Sequence, residues 1–194
     1  MVFGEPGVFI SLEREPDALR EDARHFGWNL KPFENQGNLE LMGGPLDRVV
    51  EFRRKVGASG EDLIGEIIQV VQGMGAERLA LDGLTQFSTM FPDTQAFRSG
   101  LVRLQRELNE LTCTSILTSE VEEGKGGLSR LGVEEYVADG VITLHYERSK
   151  LFRSRALEVR KMRGTDHSNH LSFFEISDEG IRIRRGKDQD SEGE

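Results

Sequence analysis

Three groups of side chains in this sequence have the types and settings needed to handle a phosphorylated ligand. Glu13 follows the apolar run Gly7-Val8-Phe9-Ile10-Ser11-Leu12. It therefore stands at the C-terminal end of a buried strand, where open α/β sheets collect ligands. A carboxylate there can orient a water for in-line attack on a γ-phosphate. The plain alternative is an acid leading the next helix and favoured by its dipole. Asp82 ends a second apolar run, Arg78-Leu79-Ala80-Leu81, where it can hold Mg²⁺ or its water shell. Asp82-Gly83 also fits an ordinary turn leaving a strand. Lys161-Met162-Arg163-Gly164-Thr165 brings the opposite charge. Strand alternation predicts that Arg155, Leu157, Val159, Lys161 and Arg163 share one face. Lys161 and Arg163 then form a two-pronged cation suited to a transferring phosphoryl group; a solvated basic strand is the simpler reading.

Other candidates carry less. His167-Ser168-Asn169-His170 has no accompanying ligand set for a metal. Cys113 precedes an apolar strand and reads as packing. The chain holds no Gly-x-x-x-x-Gly-Lys-[Ser/Thr] phosphate cradle. Gly124-Lys125-Gly126-Gly127 lacks that spacing and reads as a loop.

The elements that must position these residues alternate strand and helix. After the first strand, Pro16 opens a helix over 17–26. A short strand at 39–42 and a short helix over 46–55 are predicted among glycines. Ser59-Gly60-Glu61-Asp62 forms a capping box before the apolar helical stretch of Leu63, Ile64, Ile67, Ile68, Val71 and Met74, closed by Gly73 and Gly75. After Pro92, apolar residues at Phe97, Leu101, Leu104, Leu108 and Leu111 predict an amphipathic helix. Strands follow at 114–118 and 141–144. The period then shortens to two at 155–161 and 181–184, around a strand at 171–176, as antiparallel strands require. The fold class is α/β: a mostly parallel sheet flanked by helices, with antiparallel C-terminal strands at its edge.

Composition sets the outer limits. At 194 residues the chain supports one sizeable core, and 37% apolar with 30% charged residues excludes fibrous and disordered classes. No apolar run approaches the roughly 18–20 residues that span a bilayer. With one cysteine and no leader pattern, the expectation is a cytoplasmic protein without membrane contact. A net charge of −9 disfavours general nucleic-acid binding. Basic residues nonetheless crowd 148–163, so a local anion site remains open.

Taken in order, these residues resemble the KaiC-type branch of the RecA-like ATPases. Residues 4–13, continuing through Phe26-Gly27-Trp28-Asn29-Leu30, are similar to the family's second core strand, catalytic glutamate and following helix. Arg78–Asp82 resembles its Walker B strand. Thr118-Ser119-Glu120 with 131–139 resembles its Thr-Thr-Glu strand end and Gly-Val-Glu-Glu segment. Residues 157–167 resemble its intersubunit finger strand. The resemblance covers 1–186 as one ATPase core, leaving 187–194 as a disordered acidic tail. It implies Glu13 as catalytic glutamate and Asp82 as the acid on the Mg²⁺ side. Lys161, Arg163, Arg155 and His167 would reach a neighbouring subunit's ATP, with Asp178 near its base. It further implies a homo-oligomer, commonly a hexameric ring, and a signalling protein as partner.

Two departures accompany the resemblance. Arg14 stands where the family often has a second glutamate. The family's first strand, P-loop and first helix have no counterpart in these residues, so the expectation is a fragment, or a gene called from an internal start, that binds ATP poorly and exposes an apolar strand edge. A degenerate, non-hydrolysing scaffold and a recombination-related DNA-binding protein are the alternatives.

Overall fold

A computed structural model describes residues 4–44, 59–121, 127–148 and 153–184. The helix expected over 46–55, most of the 124–127 loop and the 187–194 tail lie outside the described residues. The chain divides into two compact units, Met1–Arg24 with Trp28–Val137, and His25–Gly27 with Ala138–Glu194. No helix among the described residues is long and apolar enough to cross a membrane.

The first unit is built on four parallel strands in the order β2-β1-β3-β4, with β1 at Gly7–Ser11, β2 at Leu39–Gly43, β3 at Arg78–Asp82 and β4 at Thr114–Leu117. Val8, Ile10, Leu79 and Leu81 are register partners on one face of the sheet, and all four are buried in the core. The crossovers carry α1 (Pro16–His25), α2 (Lys31–Asn35), α3 (Gly60–Met74), α4 (Leu84–Ser88) and α5 (Thr94–Glu110).

Local signals explain the helix ends. The Ser59 hydroxyl accepts from the Asp62 N–H at 3.4 Å while Asp62 accepts from the Ser59 N–H at 2.6 Å, completing the expected capping box of α3. Gly75 closes that helix with a left-handed φ of 62°. Asp93 caps α5 by accepting from the Ala96 N–H at 2.8 Å. The apolar faces of α3 and α5 bury Ile64, Ile67, Val71, Phe97, Leu101, Leu104 and Leu108. Phe87, Phe91 and Phe97 meet edge to face, with centroids 5.3 to 6.2 Å apart. β4 is an outer strand, as β2 is on the opposite side, and Ile116 on β4 is 69% exposed.

The antiparallel strands form a sheet of their own, not an edge of the parallel one, in the order β5-β6-β7-β8. They span Gly140–Arg148, Arg153–Met162, Ser172–Ser177 and Gly180–Ile183. One expectation fails here. Val141 pairs with Lys161, but Ile142 pairs with Val159, so β6 carries an extra residue at Arg160. That bulge reverses the side-chain alternation. Arg155, Leu157 and Val159 lie on the face of Tyr146, Leu144 and Ile142, whereas Lys161 joins Ala156 and Glu158 on the other.

Packing of the first unit yields a test. A Cβ on Gly100 would meet the Phe91 ring at 2.5 Å. Gly100→Ala should therefore lower stability to urea by about 1–3 kcal/mol through overpacking, despite a helix-propensity gain of about 1 kcal/mol. Higher stability in the variant would show that Phe91 is not wedged against this glycine.

Candidate functional site

The direction of the chain reverses within the parallel sheet. β1 connects outward to β2 on one side, and β3 to β4 on the other, so a topological switch point lies between β1 and β3. Such a point opens a crevice beyond the carboxyl ends of the strands. Ser11 and Asp82 are register partners there, and Glu13 follows two residues on. The sheet thus brings together the two acids singled out in the sequence.

Asp82 is gripped from both sides. The Ser11 hydroxyl, fully buried, donates to Asp82 Oδ2 at 2.9 Å, and the Thr118 hydroxyl donates to Oδ1 at 2.8 Å. Each hydroxyl also accepts backbone N–H groups. Ser11 Oγ takes those of Glu13 at 3.3 Å and Arg14 at 3.1 Å, while Thr118 Oγ1 takes that of Gly83 at 3.0 Å. One carboxylate therefore ties together the exits of β1, β3 and β4. Sequence reasoning quoted Ser11 and Thr118 only as parts of motifs. The available signal was a hydroxyl residue at the end of each apolar strand, where burial obliges it to find a partner.

Glu13 sits in a negative field. Loss of hydration at its carboxyl, then the charges of Asp82 and Glu120, push its pKa above the ordinary glutamate value of 4.5; a hydrogen bond from Gln86 opposes them. Glu120 is ion-paired with Arg130 at 3.3 Å. Beside it, Ser119 donates to the buried Glu134 at 3.1 Å, which also accepts the Val133 N–H at 3.1 Å.

Among the described residues, no three His, Cys, Asp or Glu side chains gather as a metal-ligand set. Asp82 nonetheless suits a magnesium ion of the kind that keeps most of its waters and binds through one carboxylate plus substrate phosphates. Each Asp82 oxygen accepts one hydroxyl proton, and each oxygen has a second lone pair. The residues present fit that group.

The cationic candidates lie in the second unit. Where β6 ends, Lys161 Nζ donates to the Ala138 carbonyl at 2.6 Å, and the Arg163 guanidinium meets Asp139 Oδ1 at 2.9 Å. The Arg163 N–H also donates to the Asp139 carbonyl at 2.9 Å. The structure brings these two together beside 138–139. Arg155 is not with them: the bulge leaves it on the opposite face, over the Tyr146 ring at 5.7 Å. His167 lies past the turn, its Nδ1 3.2 Å from the Thr165 carbonyl. Asp178, exposed in the β7–β8 turn, lies toward the end of the sheet where β6 begins.

A family model described as "ATPase: KaiC" matches residues 1–188. A UPF0273 protein of Methanopyrus kandleri is 38% identical over 93% of this chain and 73% of its own length. The circadian clock protein KaiC3 of Synechocystis is also 38% identical over 93% of this chain, which spans 36% of that protein. The crystal structure of a KaiC-like protein from Pyrococcus horikoshii superposes with a TM-score of 0.79 at 30% identity, covering 94% of this chain and 77% of that one.

The field around Glu13 predicts a pH signature. Its neutral form suits the folded chain better, so its contribution to stability is complete below pH 4.5 and declines as pH climbs through its raised native value. Glu13→Gln should match the wild type in Tm below pH 4.5 and exceed it at neutral pH. Parallel Tm curves across the range would remove the electrostatic account of Glu13.

Proposed function

The chain belongs to the KaiC family of ATPases, and from that premise we propose that it binds and hydrolyses ATP between subunits of a homo-oligomeric ring. The observation that carries this reading is the convergence of Glu13 and Asp82 at the switch point of the parallel sheet, with Asp82 clamped by two hydroxyls. A bound magnesium ion would neutralise charge on the phosphates. Asp82 would hold it, its carboxylate kept in one orientation by Ser11 and Thr118.

Glu13 would accept a hydrogen bond from the attacking water and align it with the terminal phosphorus. Its upward-shifted pKa makes it a better proton acceptor than an ordinary glutamate while leaving it ionisable. Lys161 and Arg163 of the neighbouring subunit would meet the developing charge on the transferred phosphoryl group. Asp139 holds the Arg163 guanidinium meanwhile, and a phosphate oxygen would take its place. Arg155 and His167 contribute farther along the triphosphate, and Asp178 near the base. These 194 residues contain no Gly-x-x-x-x-Gly-Lys-[Ser/Thr] sequence, the backbone cradle that holds β- and γ-phosphates in P-loop sites.

Relatives such as KaiC3 of Synechocystis carry the name of circadian clock proteins, which supports a regulatory or signalling use of the ring, in the cytoplasm, through a protein partner. A net charge of −9 supports protein recognition over nucleic acid.

Mixed rings test the shared site. In protein made from the native gene, Glu13→Gln and Lys161→Ala should each abolish turnover. Equal mixing before assembly should restore activity, because about one interface in four then unites an intact Glu13 with an intact Lys161 in a head-to-tail ring. No recovery in mixed rings of confirmed composition would refute the shared site. Absence of ATP binding by protein that carries a P-loop would leave a non-hydrolysing scaffold.

A further inference from the structure

Ser11 and Glu134 are the two buried polar residues among the described residues. Ser11 is accounted for by its grip on Asp82. Glu134 is used by no step of the proposed reaction, yet it is only 8% exposed, and a carboxylate withdrawn from water must be held by hydrogen bonds. It opens α6 (Glu134–Val137). Its Oε1 accepts the Ser119 hydroxyl at 3.1 Å and its Oε2 the Val133 N–H at 3.1 Å. The segment around it is itself anchored. Leu131, Val133 and Val137 pack against the core, and the Ser129 hydroxyl donates to Glu135 while accepting the Gly132 N–H at 3.1 Å.

Ser119 is the chain neighbour of Thr118, whose hydroxyl has two tasks. It donates to Asp82 Oδ1 at 2.8 Å and accepts the Gly83 N–H at 3.0 Å, although Thr118 is an exposed residue just past the end of β4. Main-chain bonds hold Thr118 from one side alone. Its N–H donates to the Leu81 carbonyl at 3.0 Å, and its carbonyl accepts the Leu84 N–H at 2.9 Å. No strand among the described residues pairs with the other edge of β4, and ends held by few contacts open first. The second grip comes from 130–134: Glu134 takes Ser119, and Arg130 meets Glu120 at 3.3 Å.

We propose that Glu134 is a positioning residue for Asp82: by holding Ser119 it fixes the exit of β4, and with it the Thr118 hydroxyl that orients the Asp82 carboxylate. This rests on the reading of Asp82 as the acid on the magnesium side. An ionised carboxylate suits the task because it only accepts, so the Ser119 hydroxyl is obliged to donate to it, in a charge-assisted bond. Glu134 touches neither metal nor phosphate in this scheme. Its effect passes through Ser119 and Thr118.

The anchor is tested without metal or nucleotide, by amide hydrogen exchange on the 194-residue chain. Two variants remove the contact from opposite ends, Ser119→Ala and Glu134→Ala. In each, the Gly83 amide, which Thr118 holds, should exchange about tenfold faster or more. The Ala96 amide, held by Asp93 at the start of α5, should keep its wild-type rate. Ser119→Thr, which retains a hydroxyl, should restore protection at Gly83. An unchanged Gly83 rate in Ser119→Ala would overturn the proposal. So would equal acceleration at Gly83 and Ala96 in that variant, the mark of general loosening and not of lost positioning.

The consequence is read in the assembled ATPase made from the native gene. Ser119→Ala should raise the magnesium concentration for half-maximal turnover about fivefold or more, with kcat recovered at saturating magnesium. A wild-type magnesium requirement in Ser119→Ala, beside a raised one in Asp82→Asn, would overturn the positioning role. A wild-type requirement in Asp82→Asn would instead overturn the metal reading of Asp82, while exchange at Gly83 still decides the anchor.

Discussion

The Asp82 carboxylate, held between the hydroxyls of Ser11 and Thr118, is the constraint from which the candidate site takes its shape. Each hydroxyl turns its remaining capacity toward the backbone just beyond a strand: Ser11 toward Glu13 and Arg14, Thr118 toward Gly83. Main-chain bonds reinforce the arrangement. The Leu12 N–H donates to the Asp82 carbonyl at 2.9 Å, and the Leu84 N–H to the Thr118 carbonyl at 2.9 Å. Three parallel strands thus leave the sheet in fixed directions. The path of residues 12–14 and 83–84, and with it the placing of Glu13 beside Asp82, follows from one carboxylate being satisfied.

This economy has an electrostatic cost. Asp82 is fixed where its charge acts on Glu13, and Glu120 adds to it from the end of β4. A chain selected for stability alone would place a neutral residue at 13. The acid persists in a field that opposes its ionisation, as sites organised for chemistry commonly do. Loss of hydration at the carboxyl and the charges of Asp82 and Glu120 together raise its pKa.

Much of the framework was legible in the sequence because local and global signals agree there. The capping box at Ser59, the stop at Gly75 and the apolar spacing from Phe97 to Leu108 each give a helix end or face that the structure reproduces. The apolar runs ending at Ser11 and Asp82 became neighbouring strands, so the two acids came together. Two things were not legible. The Arg160 bulge is one, since a period-two pattern continues on paper through an inserted residue and only strand pairing reveals the shift. The hydroxyl clamp is the other, because it joins positions 71 and 36 residues apart that no spacing rule connects.

The bulge has a chemical outcome that alternation conceals. An unbroken β6 would line up Arg155 and Lys161 on one side, spreading the cations along a strand. The extra residue instead turns Lys161 toward the other face, at the strand's very end, where the Ala138 carbonyl and Asp139 receive Lys161 and Arg163. Arg155 is left to lie over Tyr146. Two cations gathered at a strand end suit a compact, multiply charged anion better than an extended one. A guanidinium already shaped to a carboxylate needs only to exchange one oxyanion for another. The insertion at Arg160 therefore sets Lys161 apart from Arg155, so that the basic groups of this segment divide between two faces of the sheet.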